Sequence, residues 1–177
     1  QFIDCSIQFW KNGGSIVLLA ENDPYNFQAN LFLKKATFPN GQKVKFTIGG
    51  KDHEGTKILT ADDSGNLQRK CSFNSKIQEV CHVERKSIAN NLVRIFEGIT
   101  PSYAKGELDP FIPFSRDSDG GINSMFYNGK DNGNGLGEGD IFIDCSYTKF
   151  FFDMQSQGLP RYIQNIVSWF GAPENHT

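Results

Sequence analysis

The stretch NGGSIVLLAENDPYNFQAN, residues 12–30, holds a helix stop, a strand, an acidic turn and a helix start in succession. Asn12-Gly13-Gly14 supplies the left-handed termination that helices use. Residues 16–20 are apolar without interruption, the pattern of a strand covered on both faces, where alternation disappears. Asp23-Pro24 reads as a helix start, with aspartate as N-cap and proline at the first helical position. Tyr25, Gln28, Ala29, Phe32 and Leu33 then recur at helical spacing, Gln28 being the polar exception. Upstream, Ile3, Ile7 and Trp10 mark one face of a helix over residues 2–11, with Phe2 and Phe9 beside it. Helix, strand and helix in close succession are the alternation of a parallel α/β sheet.

The C-terminal part repeats this grammar. Residues 141–143 read as a buried strand after the glycine-rich DNGNGLGEGD, residues 131–140. Leu159, Tyr162, Ile163, Ile166, Val167 and Phe170 form a helical stripe, opened by Pro160 and closed by Gly171 and Pro173. The middle is β-rich. Val44, Phe46 and Ile48 alternate with polar neighbours, predicting a strand with one wet face. Short strands are also expected over residues 57–60, 92–100, 110–114 and 122–127, the last two flanking the turn SRDSDGG. Residues 67–90 are polar and carry no clear pattern. The whole reads as one domain over residues 1–177.

The 177 residues carry 18 basic and 20 acidic side chains and no basic run, so the electrostatic signature of nucleic-acid binding is missing. No apolar run is long enough to span a bilayer. The 16 phenylalanines fit a thick aromatic core. Cys5, Cys71, Cys81 and Cys145 are too few for a disulfide framework. Cys71 and Cys81 could pair in an oxidising compartment, but reduced thiols are the favoured reading, which leans towards the cytoplasm. The chain starts at Gln1 without a signal peptide and inside a helical pattern, so it is expected to be a piece of a longer protein. Asn175-His176-Thr177 matches a glycosylation acceptor weakly.

Two stretches resemble a known family. FWKNGGSIVLLAENDPYNFQANLFL resembles the helix, Gly-Gly, buried strand and helix of class I glutamine amidotransferase-like domains. GEGDIFIDCSYTKFFFDM and RYIQNIVSWFG are similar to their closing strand, turn and helix. The likeness is strongest to non-catalytic members found in gliding-motility and intraflagellar-transport proteins. It implies a three-layer, flavodoxin-like parallel sheet with a β-rich middle insertion, lacking its first strand before Gln1. The catalytic members carry a cysteine on the elbow after the Gly-Gly strand, where this chain has Ala20. They place a histidine after the closing strand, where this chain has Asp144-Cys145-Ser146-Tyr147. His53, His82 and His176 lie elsewhere. A thiolate nucleophile needs a base within reach, so the resemblance implies a pseudoenzyme that binds or scaffolds.

Open α/β sheets bind ligands at the carboxyl edge of their strands, which makes Glu21, Asn22 and Asp23 candidates on one side and Asp144, Ser146 and Tyr147 on the other. Capping is the favoured reading of Asp23, leaving Glu21 and Asn22 as the functional residues. Glu21 and Asp144 could share a cleft, and split pKa values would let such a pair run acid and base chemistry. A carboxylate-dependent hydrolase is therefore the alternative to a binding domain. Arg116 and Asp117 sit in a turn that faintly suggests a calcium loop, but no glutamate closes the pattern, and a solvated turn fits better. The glycine-rich loop lacks the Lys-Ser/Thr of a phosphate loop. Phe150-Phe151-Phe152 is core, or a partner surface where exposed, and Lys149 and Asp153 around it suggest an exposed edge. No cofactor and no metal are expected. The partner is expected to be a protein or the remainder of a longer chain.

Overall fold

The computed structural model describes residues 1–38, 41–50, 58–60, 94–96, 101–116, 121–129, 138–152 and 159–171. Residues 58–60 and 94–96 are described as backbone only, as are Arg116 and Phe152.

Helix α1, Phe2–Lys11, buries Ile3, Ile7 and Trp10 and leaves Phe2 and Phe9 in solvent. It ends as its glycines require. Gly13 takes φ +89°, and its N–H reaches the Trp10 carbonyl while the Gly14 N–H reaches that of Phe9. The chain turns directly into β1, Ile16–Leu19, which runs parallel to β8, Ile141–Asp144, in the register Ile16 to Ile141 through Leu19 to Asp144. β8 also pairs antiparallel with β7, Ile122–Tyr127, and β7 pairs antiparallel with β6, Ile112–Arg116. Among the described residues the central sheet therefore has the order β1-β8-β7-β6 and is mixed. The expected parallel pairing holds for β1 with β8, but the sheet as a whole is mixed where a parallel one was expected. Only residues 117–121 separate β6 from β7, too few for the crossover that parallel neighbours need, and their antiparallel pairing fits the turn read between them.

Side chains of β8 divide between two cores. Ile141 and Ile143 join Trp10, Phe32, Leu33, Met125 and Tyr127 on the face covered by α1 and by α2, Phe27–Lys35. Phe142 joins Phe114 and Phe126 on the face covered by α4, Leu159–Gly171. β8 is buried at every position, as its unbroken apolar run predicts. β1 is not. Ile16 and Leu18 pack on the first core, while Val17 and Leu19 are 43% and 44% exposed. The expectation of burial on both faces is corrected because, among the described residues, β1 is the sheet's edge and α4 packs over β6, β7 and β8.

The middle contributes β2, Lys45–Gly49, paired antiparallel with β5, Tyr103–Glu107, and a separate antiparallel pair of β3, Ile58–Thr60, with β4, Arg94–Phe96. Phe46 and Ile48 are buried as their alternation predicts, and β5 carries no signal that the sequence reading recognised. Asn30 of α2 anchors β2: its amide accepts the Ile48 N–H at 2.7 Å and donates to the Ile48 carbonyl at 2.8 Å.

Gly139 explains much of the Gly-Gly spacing. The Trp10 indole donates to the Gly139 carbonyl at 2.7 Å, and the Gly139 N–H returns to the Trp10 carbonyl at 2.8 Å. A Cβ on Gly139 would collide with the carbonyl of Gly14. The end of α1 and the start of β8 thus meet backbone to backbone, at a distance that only glycine permits.

The helix α4 buries Leu159, Tyr162, Asn165, Ile166 and Trp169. Val167 is exposed instead, so the stripe is rotated from the expected one, with Trp169 anchoring it against Phe126. No helix among the described residues is long and apolar enough to cross a membrane.

Candidate functional site

The parallel pairing of β1 and β8 brings the residues after both strands to one place. The Ala20 N–H donates to the Asp144 carbonyl at 2.8 Å, and the Tyr147 N–H donates to the Ala20 carbonyl at 3.2 Å. Ala20, at the elbow, is fully buried.

Glu21 follows directly and is 1% exposed. Its carboxylate accepts the Thr148 N–H at 3.3 Å and also the Thr148 hydroxyl. Asn22 is half-buried, and its carbonyl accepts the Tyr25 N–H. Asp23 is exposed, and α2 begins at Phe27 after a turn, so Asp23 is not its N-cap. Tyr25, expected on the helical stripe, lies outside the helix and in solvent. The acidic turn is therefore arranged the opposite way from the sequence expectation. Glu21 ties two loops together, and Asp23 is free of that duty.

Across from it, Asp144 is wholly buried and saturated with donors. Its Oδ1 accepts the Ser146 N–H at 2.9 Å. Its Oδ2 accepts from Lys149 Nζ at 2.9 Å and from the Tyr162 hydroxyl at 2.8 Å. Lys149, the first residue of the single-turn helix α3, Lys149–Phe152, is 1% exposed, which corrects the expectation of an exposed edge there. A lysine is almost never buried unless paired, and here Asp144 supplies the counter-charge. Lys149 Nζ also lies 5.5 Å from the centre of the Tyr162 ring. That ring is stacked against Phe114 and Phe150 and meets Phe142 edge-on. Burial, and then the charge of Asp144, push the Tyr162 phenol well above its ordinary range, opposed in part by a hydrogen bond from Ser124. The network runs on through the paired hydroxyls of Ser124 and Ser115 to Asn123, which accepts from Ser115 at 2.7 Å.

Ser146 is buried, its N–H on Asp144 and its carbonyl accepting the Lys149 N–H. Tyr147 is half-buried and touches Tyr25 and Phe151 edge-on, at 6.0 and 5.4 Å between ring centres. Desolvation, and then the charge of Glu21, raise its phenol. Arg116 ends β6, opposite Ile122. Asp117, Cys71, Cys81 and the loop over 131–137 lie outside the described residues. Neither Cys5 nor Cys145 is in a disulfide, and Cys145 is buried. Among the described residues, no group of three histidine, cysteine, aspartate or glutamate side chains gathers as a metal site would require.

The structure thus brings together Glu21, Asp144, Ser146 and Tyr147 from the expected residues, and adds Thr148, Lys149, Tyr162 and Ser124. Tyr162 sits on a stripe that reads as core, and Lys149 beside an aromatic run where its charge suggests an exposed edge, so neither announces its pairing. As chemistry, the arrangement is a lock. Each carboxylate holds the 145–149 turn by its backbone or side chains, and Lys149 pairs with Asp144.

The fold is that of a mixed α/β domain with helices on both faces of its sheet. Its backbone is similar to the N-terminal domain of mmIFT52, an intraflagellar-transport protein, with a TM-score of 0.59, 7% sequence identity, and coverage of 95% of this chain and 69% of that one. At this identity the likeness is one of fold. No protein-family profile and no curated protein sequence matches the chain.

Proposed function

We propose that this chain is a non-enzymatic binding or scaffolding domain of the glutamine amidotransferase-like kind, flavodoxin-like in architecture, with the nucleophile and base of that kind replaced. The observation that carries the reading is the state of the carboxyl edge. The elbow position is a buried alanine, the position expected for a base is Ser146, and both carboxylates are held by internal donors. A nucleophile needs an adjacent base, and a general acid or base must reach the substrate's proton. Neither requirement fits this edge. The fold it shares with the N-terminal domain of mmIFT52 is compatible with this reading, in which the partner is a protein or the remainder of a longer chain.

Incubation with glutamine tests the enzymatic side. The expected result is no ammonia above the buffer blank, with Cys145→Ser indistinguishable from the parent. Ammonia release that Cys145→Ser abolishes would return the domain to the amidotransferases. Hydrolysis of p-nitrophenyl acetate or phosphate that disappears in both Glu21→Gln and Asp144→Asn would replace this reading with a carboxylate-dependent hydrolase.

A further inference from the structure

A file of polar side chains runs inward from the carboxyl edge. Lys149 and Tyr162 meet on Asp144, Ser124 meets Tyr162, and Ser115 links Ser124 to the Asn123 side-chain oxygen. At Asn123 the file stops among the described residues. The Nδ2 of Asn123, a donor only, is buried and has no hydrogen-bond partner there. The same holds for Ser102 Oγ. Both residues are wholly enclosed, at 0% exposure.

The two atoms belong to one place in the fold. The Cys145 N–H donates to the Asn123 carbonyl at 2.8 Å, and the Cys145 carbonyl accepts the Ser102 N–H at 2.8 Å. Asn123 lies in β7 and Ser102 leads into β5. Cys145, just past β8, therefore ties the central sheet to the smaller one. It is itself fully buried, in the first core. Backbone also closes on Ser102 from the end of β2, where a Cβ on Gly50 would stand 3.2 Å from Ser102 Cα.

Buried polar groups in folded proteins are paired, either with protein or with ordered water. The surroundings restrict what the partner can be. Enclosed atoms admit only something small. A donor such as Nδ2 cannot ligate a metal cation, and an anion would be a buried charge in need of a cation, whereas Lys149 is given to Asp144. Water both donates and accepts, and it binds inside proteins where a few polar groups converge. The backbone carbonyls of Asn123 and Cys145, with two lone pairs each, are further acceptors at the same place.

We infer that internal water is bound at the end of β8, hydrogen-bonded to Asn123 Nδ2 and to Ser102 Oγ. It carries the polar file from the central sheet to the segment entering β5. This site is independent of what the carboxyl edge binds.

Relaxation dispersion of the water oxygen nucleus detects molecules that stay bound longer than the protein takes to tumble, and it ignores protons that exchange from hydroxyls. The intact chain is expected to lose such a molecule when Ser102→Ala and Asn123→Leu are combined, because both polar atoms then leave. An unchanged dispersion would overturn the proposal, since the partner of these atoms would then be another part of the chain. The urea midpoint of Ser102→Ala alone gives a second reading. A hydrated hydroxyl is satisfied, so its removal is expected to lower the midpoint or leave it in place. A raised midpoint would overturn the proposal, because it marks a hydroxyl buried without any partner. Should the double variant not fold, rotating-frame cross-peaks from water to the Asn123 side-chain amide of the parent decide the matter: they are expected, and their absence would sink the assignment.

Discussion

Replacing Lys149 with methionine removes the cation at the carboxyl edge of the sheet and keeps most of the side-chain volume. Lys149 Nζ and Asp144 Oδ2 are 2.9 Å apart, with the side chains 1% and 0% exposed. At that distance and an effective dielectric of about 20, the attraction is about 6 kcal/mol. It is offset by desolvation of several kcal/mol for each ion, so the pair as a whole contributes little. Removing one partner is different, because Asp144 then stays buried without its counter-charge. Its remaining donors, the Tyr162 hydroxyl and the Ser146 N–H, soften the loss without cancelling it. Lys149→Met is expected to cost about 3–5 kcal/mol, a large share of the roughly 5–15 kcal/mol that holds a domain together. Urea unfolding followed by fluorescence would show a lower midpoint with an unchanged slope. Adding Asp144→Asn should recover part of the loss, with a coupling energy of about 2 kcal/mol. A Lys149→Met midpoint within about 0.5 kcal/mol of the parent, the range of ordinary surface sites, would mean that the ammonium reaches water and that the buried pair is not as described.

Three further outcomes follow from the same geometry. Glu21→Gln should destabilise by about 1–3 kcal/mol, since it weakens hydrogen bonds from Thr148 to a charged acceptor, while Asp23→Ala should stay within about 0.5 kcal/mol; urea melts in the reverse order would restore Asp23 as the structural residue. The raised Tyr162 phenol keeps a proton in the native state that the unfolded chain releases above about pH 10. Its contribution is complete below that pH and is lost as pH rises beyond it. Tyr162→Phe should therefore flatten the alkaline fall in stability between about pH 9 and 11, while costing about 1–3 kcal/mol at neutral pH through its lost bond to Asp144; parallel pH profiles would contradict this. Gly139→Ala should lower stability by about 1–3 kcal/mol or prevent folding, because its methyl group meets the Gly14 backbone, which cannot move aside; a neutral melt would remove the close approach as the reason for these glycines.

Local patterns carried much of this architecture. The Ile3, Ile7 and Trp10 spacing, the Gly13-Gly14 stop, the unbroken apolar run of β8 and the alternation of Phe46 and Ile48 each report an environment set by near neighbours in the chain, so a sequence alone determines them. The carboxyl edge was legible in outline, since Glu21 and Asp144 both follow apolar strands. What each carboxylate does was not. The burial of Glu21 depends on Thr148, 127 residues away, and the burial of Lys149 depends on Asp144 and on Tyr162 from a later helix. The same holds for Asp23, where cap chemistry suited the residue but the helix began at Phe27. β1 and β8 share an apolar run that reads alike in both, yet among the described residues β8 lies inside the sheet and β1 at its edge. Sequence hydrophobicity measures what a strand can bury, and only the tertiary neighbours decide how much of it is covered. The antiparallel pairing of β6 with β7 was legible locally, because so few residues separate them, whereas the mixed sheet that joins them to β8 and β1 is settled only by tertiary pairing.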